Sequence, residues 1–254
     1  MTDGVHFADA RLPDGMRLYA IGDVHGCREL LVEMHARIDR QIAREGPADW
    51  RIVHVGDYCD RGPDTKGVID FLTGRMAADP RIVCLRGNHD HGFLAFLASS
   101  SPAAARDSMI FIRNGGEATT ASYGVAADFS TPDGMARTRD ALTRAMPQEH
   151  QAFLARLPYA ASFGDVFLCH AGIRPGVPLD AQAPDDLIWI RDEFLSDPRL
   201  HPKLIVHGHT PSDSVEIRPN RVNVDTRAFA SGRLSALVVE GERRTLVEVS
   251  GPPR

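Results

Sequence analysis

Apolar positions in this chain come in short runs, and the runs end on the same kinds of residue. Met16–Ile21 reads as a β-strand and leads into Gly-Asp-Val-His-Gly. Leu30, Met34, Ile38 and Ile42 then recur every four residues, which predicts an amphipathic helix. Ile52–Val55 predicts a second strand, ending at Gly-Asp-Tyr-Cys-Asp-Arg-Gly, and a helix is expected around Thr65–Met76. Ile82–Leu85 predicts a third strand, ending at Arg-Gly-Asn-His-Asp. Strands alternating with helices argue for a sheet that is at least partly parallel.

The middle of the chain has a different texture. From about Phe93 to Pro158, β-branched runs thin out and Ala, Arg and Ser take over. Phe93–Leu97, Arg106–Ile112, Gly116–Tyr123, Met135–Ala145 and Gln148–Leu157 have helical character, punctuated by Pro102, Pro132 and Pro147. This predicts a helical insertion around residues 93–158 lying over the core of a single domain spanning residues 1–254. Strands then return: Val166–Cys169 ends at His-Ala-Gly and Leu204–Val206 at His-Gly-His-Thr, with a helix expected over Pro184–Leu195. Val215–Ile217, Arg221–Val224, Leu234–Val239 and Thr245–Val249, separated by turn signals, predict an antiparallel meander. The expected fold class is α/β, with two mixed sheets packed face to face.

Composition narrows the classes. The 254 residues are 43% apolar and 25% charged, ordinary for a globular chain and unlike disordered or collagenous sequences. The net charge of −5 supplies no basic excess for gripping nucleic acid. No apolar run approaches the ~20 residues of a membrane helix. The first residues lack the basic and apolar stretches of a secretion signal, so a cytoplasmic protein is expected. Cys27, Cys59, Cys84 and Cys169 form no Cys-x-x-Cys pair and are expected to be reduced and buried.

Chemistry concentrates at strand ends. Five of them carry hard ligands: Asp23 and His25; Asp57 and Asp60; Asn88, His89 and Asp90; His170; and His207 and His209. Loops at one edge of a sheet bring such groups together. Carboxylate and imidazole without thiolate suit Mn²⁺, Fe or Zn²⁺ in a catalytic site better than a structural zinc. Alone, an Asp-x-His or a Gly-Asn-His-Asp is ordinarily a turn or a helix cap. All five in order, each directly after a strand, point to a site.

This series of motifs resembles the calcineurin-like metallophosphoesterases, and more narrowly the bacterial phosphoprotein phosphatases, from Leu18 to Val239. Asn114–Gly124, His170–Pro178, Asp186–Phe194 and Asn223–Leu237 resemble bacterial members as well. The resemblance implies a β-sandwich flanked by helices, with a dinuclear metal centre at one end. It implies that Asp23 and His25 hold the first metal, that Asn88, His170 and His209 hold the second, and that Asp57 bridges them. The expected cofactors are two divalent ions, Mn²⁺ first and Fe or Zn²⁺ as alternatives, activating a shared water as nucleophile. The same resemblance makes His89 the general acid, Asp60 the carboxylate that orients it, and Arg61 and Arg191 the phosphate clamp. Arg191 rests on Trp-Ile-Arg and competes with a plain surface arginine on a helix. His207 is either a support for the ligands or a buried structural imidazole. His6, His35, His54, His91, His150 and His201 remain without a role, although His91 directly follows the ligand motif.

Two positions depart from the pattern. Asp90 stands where eukaryotic protein phosphatases carry Glu, and bacterial phosphatases and dinucleotide hydrolases both accept Asp there. Arg227 stands where relatives read Gly, so the loop is expected to be reshaped, or Arg227 to reach the pocket as an anion contact. Three readings follow. The preferred one is a phosphatase acting on phosphorylated protein or peptide. The second is a hydrolase of diadenosine tetraphosphate or a related small phosphoester, with Phe93, Phe96, Phe111 or Tyr123 forming an adenine pocket. The third is a non-catalytic module, which predicts lost ligands where none is lost. No nucleic-acid or membrane partner is expected, and the sequence does not give the oligomeric state.

Overall fold

The computed structural model describes residues 4–100 and 106–251; Pro102 lies outside the described residues. In chain order the first half contains β1 (Met16–Ile21), α1 (Arg28–Glu45), β2 (Asp49–His54), α2 (Thr65–Ala78) and β3 (Ile82–Cys84). The helices α3 (Asn88–Ala98), α4 (Ser108–Arg113), α5 (Gly116–Ser122), α6 (Pro132–Ala145) and α7 (Gln148–Arg156) follow. Then come β4 (Ala160–Phe163), β5 (Val166–Cys169), α8 (Pro184–Trp189), α9 (Asp192–Leu195) and β6 (Leu204–His207). The chain closes with β7 (Glu216–Ile217), β8 (Arg221–Asn223), α10 (Ala228–Ser231), β9 (Arg233–Glu240) and β10 (Arg243–Ser250).

Among the described residues the strands form two five-stranded sheets, ordered β10-β9-β1-β2-β3 and β4-β5-β6-β8-β7. β1, β2 and β3 are mutually parallel, as are β5, β6 and β8. The expected α/β sandwich of two mixed sheets is therefore present. The two-residue period of each strand decides which layer a side chain joins. Leu18 and Ala20 of β1, with Leu237 and Val239 of β9, face Val166, Leu168, Leu204, Val206 and Val222 across the inter-sheet core. Their alternates Tyr19, Ile21, Ala236 and Val238 face outward onto Met34 and Ile38 of α1. The outer face of the second sheet packs Phe167 and Ile205 under Leu187, Ile190 and Phe194.

Several expectations need correction. The tail is not one meander: β7 and β8 pair in the second sheet, whereas β9 and β10 pair in the first. The reason is that β8 follows the second sheet's parallel order beside β6, and α10 carries the chain across before β9 joins β1. The helix expected over Pro184–Leu195 is two short helices, broken at Arg191, whose φ −133° and ψ −98° are not helical. β4, which pairs antiparallel with β5, escaped notice because Ala160–Phe163 is half exposed and carries no β-branched residue. The helical insertion is real but begins earlier than Phe93, at Asn88, so the first residue of its first helix is itself a predicted ligand. The insertion packs on α2 through Phe93, Phe96, Phe111 and Tyr123, all buried. Those aromatics form the insertion's own core and not an adenine pocket. No helix among the described residues is long and apolar enough to cross a membrane.

Candidate metal centre

Because β1, β2 and β3 are parallel, as are β5, β6 and β8, each sheet delivers its carboxyl-terminal loops to one edge. Asp23 and His25 follow β1, Asp57 and Asp60 follow β2, Asn88 opens α3 just beyond β3, His170 follows β5 and His209 follows β6. All seven are buried at that edge. Asn88 Oδ1 lies 2.8 Å from both His170 Nε2 and His209 Nδ1. The two carboxylate oxygens of Asp57 point to opposite sides: Oδ1 is 3.4 Å from His170 Nε2, and Oδ2 is 3.4 Å from His25 Nε2. Ligand atoms of Asp23, Asp57 and His170 lie within 4.8 Å of one another, as do those of His25, Asp57 and His89. Asp57 belongs to both groups, as a bridging carboxylate must.

The donor set fits two cations. Burial holds the imidazoles of His25, His170 and His209 down, hence neutral and able to coordinate. Burial pushes the Asp23 carboxyl up, and the neighbouring Asp225 and Asp57 push it further. Three buried carboxylates crowded together need positive charge between them. Asp225 was missed as a participant, although it sits in the Asn223–Leu237 stretch already singled out.

The backbone at this edge is unusual. Six non-glycine residues among those described have positive φ: His25, Asp57, Asp60, Arg61, His209 and Arg227. Five of these are predicted site residues. Such conformations cost of order 1–3 kcal/mol each and persist where surroundings enforce them. The enforcement is visible at Asp57. The buried Asp90 carboxylate accepts the backbone N–H groups of Asp57 at 2.8 Å, Gly87 at 2.9 Å and Tyr58 at 2.9 Å. Asp90 thus ties the loop after β2 to the loop after β3, a role the sequence did not reveal. Gly87 and Gly208 serve close approach: a methyl at 87 would run into Asp57 Oδ1, and one at 208 into Asp23 Oδ1.

Beside the ligands stands a second constellation. His89 Nδ1 lies 2.7 Å from Asp60 Oδ2. Thr119 Oγ1, from the insertion, donates to Asp60 Oδ1 at 2.8 Å and accepts the Asp60 backbone N–H at 2.8 Å. Burial alone would lower the His89 pKa, but the Asp57 and Asp60 carboxylates outweigh it and raise it. Thr119 is a further residue that sequence reasoning missed; it sits in the Asn114–Gly124 stretch without a chemical signature of its own. Arg61 reaches His89 Nε2 with Nη2 at 2.9 Å and His25 Nε2 with Nη1 at 3.1 Å. Arg191 is not an arginine on a helix face. It occupies the break between α8 and α9 and donates to the His209 carbonyl oxygen at 3.3 Å.

Other candidates fall away from the centre. His207 packs edge-on against Phe194 and contacts its neighbour's carbonyl, so it is a buried structural imidazole. His91 pairs with Asp107 on the insertion. Arg227 pairs with the exposed Asp213 and does not reach the pocket. Arg227 itself takes φ 57°, in the left-handed region that glycine reaches cheaply. A cleft of about 730 Å³ opens between α4 and the α8–α9 break, lined among others by Arg106, Arg113, Trp189 and Arg191.

A family model described as calcineurin-like phosphoesterase matches residues 16–238. An asymmetrical bis(5'-nucleosyl)-tetraphosphatase of Anoxybacillus flavithermus is 26% identical over 235 residues, covering 85% of this chain and 88% of its own. Serine/threonine-protein phosphatase 1 of Salmonella typhimurium is 31% identical over 100 residues, covering 39% of each chain. The chain spans less than half the length of three of the curated relatives it matches, at 41%, 44% and 39%. A serine/threonine phosphatase structure from Saccharomyces cerevisiae superimposes with a TM-score of 0.56 at 14% identity, over 95% of this chain and 82% of that one. At that identity the likeness speaks for the fold alone.

Proposed function

The chain belongs to the calcineurin-like phosphoesterases, hydrolases of phosphoesters, and we propose that it is a protein phosphatase acting on phosphoserine and phosphothreonine, with phosphotyrosine as an additional substrate. One domain carries the whole site. Asp23, His25 and Asp57 would hold one metal ion, and Asp57, Asn88, His170 and His209 a second, with Mn²⁺ the expected occupant. Two such ions activate a water as nucleophile and offset phosphoryl charge. The four cysteines are buried, with no disulfide among the described residues, which fits a cytoplasmic enzyme.

The observation that carries the reading is the His89–Asp60 pair. A serine or threonine alkoxide is a poor leaving group and needs a proton as it departs. His89 holds its Nδ1 proton against Asp60, and its Nε2 accepts from Arg61; once a phosphoryl group takes the Arg61 donors, Nε2 can carry the proton that passes to the leaving oxygen. Thr119 fixes Asp60 and thereby the ring's orientation. Arg61 and Arg191 then bind phosphoryl oxygens through their N–H edges. A nucleoside diphosphate leaving group has far less need of an acid. The second reading, hydrolysis of a dinucleotide, is supported by the relative from Anoxybacillus flavithermus and by Trp189 in the adjoining cleft, a platform on which a base can stack.

The test is hydrolysis by Mn²⁺-loaded protein of phosphoserine, phosphothreonine and phosphotyrosine peptides beside diadenosine tetraphosphate, with Asp57→Asn as the blank. Peptide phosphate release is expected to dominate and to vanish in the blank. His89→Asn is expected to slow alkyl phosphates far more than aryl phosphates. Faster cleavage of the dinucleotide would overturn the protein-substrate reading, and an equal effect of His89→Asn on both ester classes would remove its acid role.

A further inference from the structure

Arg61 is an exposed residue on the loop after β2, yet its guanidinium is held from three sides. Its N–H edge faces His25 and His89, and its Cζ lies 4.8 Å from the centroid of the Phe229 ring. A guanidinium has two kinds of surface. The edge carries five donors that match phosphate oxygens, and the faces carry none. An aromatic ring against a face restrains the group without consuming a donor, and its negative quadrupole attracts the charge.

Phe229 is supplied by α10, a single turn with little freedom of its own. Its first turn follows Arg227 in the left-handed conformation, Ala228 is buried, and Ser231 Oγ donates to the Thr226 carbonyl oxygen at 2.6 Å. The same ring meets the His25 imidazole at 5.4 Å between centroids and 83° between planes. One apolar side chain therefore touches both a phosphate-clamp arginine and a predicted metal ligand.

We propose that Phe229 is a positioning residue for phosphate recognition: it holds the Arg61 guanidinium over its ring without consuming a donor, so that the N–H groups remain available to the phosphoryl group. The inference rests on the reading of Arg61 as part of the phosphate clamp. An unrestrained arginine loses rotamer freedom each time it binds, and prior restraint removes that cost. The benefit falls on ground-state and transition-state phosphate alike, so it belongs in KM more than in kcat.

The experiment uses Mn²⁺-loaded protein with two probes: p-nitrophenyl phosphate for kinetics and inorganic phosphate for calorimetric binding. The variants are Phe229→Ala, Phe229→Leu, Phe229→Tyr, Arg61→Ala and the Arg61→Ala/Phe229→Leu double variant, each checked for metal content. Phe229→Leu is expected to raise KM and weaken phosphate binding roughly three- to thirty-fold, with kcat little changed. Phe229→Tyr restores the parent values, and Phe229→Leu adds nothing once Arg61 is removed. If Phe229→Ala sheds metal, the leucine and tyrosine variants decide the matter. Parent-like phosphate binding by Phe229→Leu, or the same weakening in the Arg61→Ala background, would overturn the proposal. Unchanged phosphate binding by Arg61→Ala would instead remove the clamp reading itself.

Discussion

Asp90 offers the sharpest test of how the metal centre is assembled. Its carboxylate accepts three backbone N–H groups, two on Oδ2 and one on Oδ1, and these belong to the loops that present Asp57 and Asn88. Asp90→Asn keeps the shape and replaces one oxygen with a donor. In its better orientation the amide oxygen serves Asp57 and Gly87, and its NH₂ faces the Tyr58 N–H. One buried N–H is then orphaned, at a cost of about 1–3 kcal/mol, and two charge-assisted bonds become neutral ones, at about 1 kcal/mol each. Relief of a buried charge beside Asp57 offsets part of this. A net loss of about 2 kcal/mol remains, which for a chain of this size lowers the melting temperature by roughly 4–8 °C. Because the freed loop is the one that holds Asp57 at φ 56°, metal binding is expected to suffer as well. The assays are thermal unfolding in chelator and metal stoichiometry after reconstitution. Parent-like melting together with two bound ions would refute the argument that Asp90 holds the Asp57 loop in place.

Three other predictions follow from the same geometry. Gly208→Ala places a methyl against Asp23 Oδ1, so reconstituted protein is expected to lose occupancy at the site holding Asp23 and His25; full stoichiometry by elemental analysis would contradict this. Burial, with Arg75 adding to it, holds the His35 imidazole down at about 4, and His54, 3.0 Å away, is lowered too. The unfolded chain therefore binds more protons than the folded one between about pH 6.5 and 4, and stability falls as pH falls through that window, by roughly 3 kcal/mol for His35 alone. Urea midpoints measured in chelator at pH 7.5 and pH 5 should show this drop, smaller in His35→Leu; identical slopes in both proteins would contradict it. Arg227→Gly relieves about 1–2 kcal/mol of left-handed backbone cost, loses about 0.5–1 kcal/mol to chain entropy, and gives up an exposed ion pair of little value. Stability is expected to stay within about 1 kcal/mol with KM unchanged, and a raised KM would restore the anion-contact role.

What the sequence by itself determined is local. β1 was legible to the residue and α1 nearly so, because two-residue and four-residue periods are written into adjacent positions. The ligands were legible because each sits directly after an apolar run, and parallel strands deliver such positions to one edge. The roles of His89, Asp60 and Arg61 rested on resemblance, and the structure brings those side chains together.

Only the tertiary structure decided which strands share a sheet. β8 and β9 are close in sequence and both buried, and nothing local says that one joins β6 and the other β1. Only packing separated Phe93, Phe96 and Phe111, closed into the insertion, from Trp189, left in a cleft. The residues that support the chemistry were likewise hidden. Thr119, Asp90, Asp225 and Phe229 act through contacts across distant stretches of chain, and a threonine or phenylalanine carries no mark of its partner. Arg227 shows the limit most plainly. An arginine's local preference is against the left-handed region, but the surrounding fold holds that backbone there, where a few kcal/mol of tertiary packing outweigh a local preference of one or two.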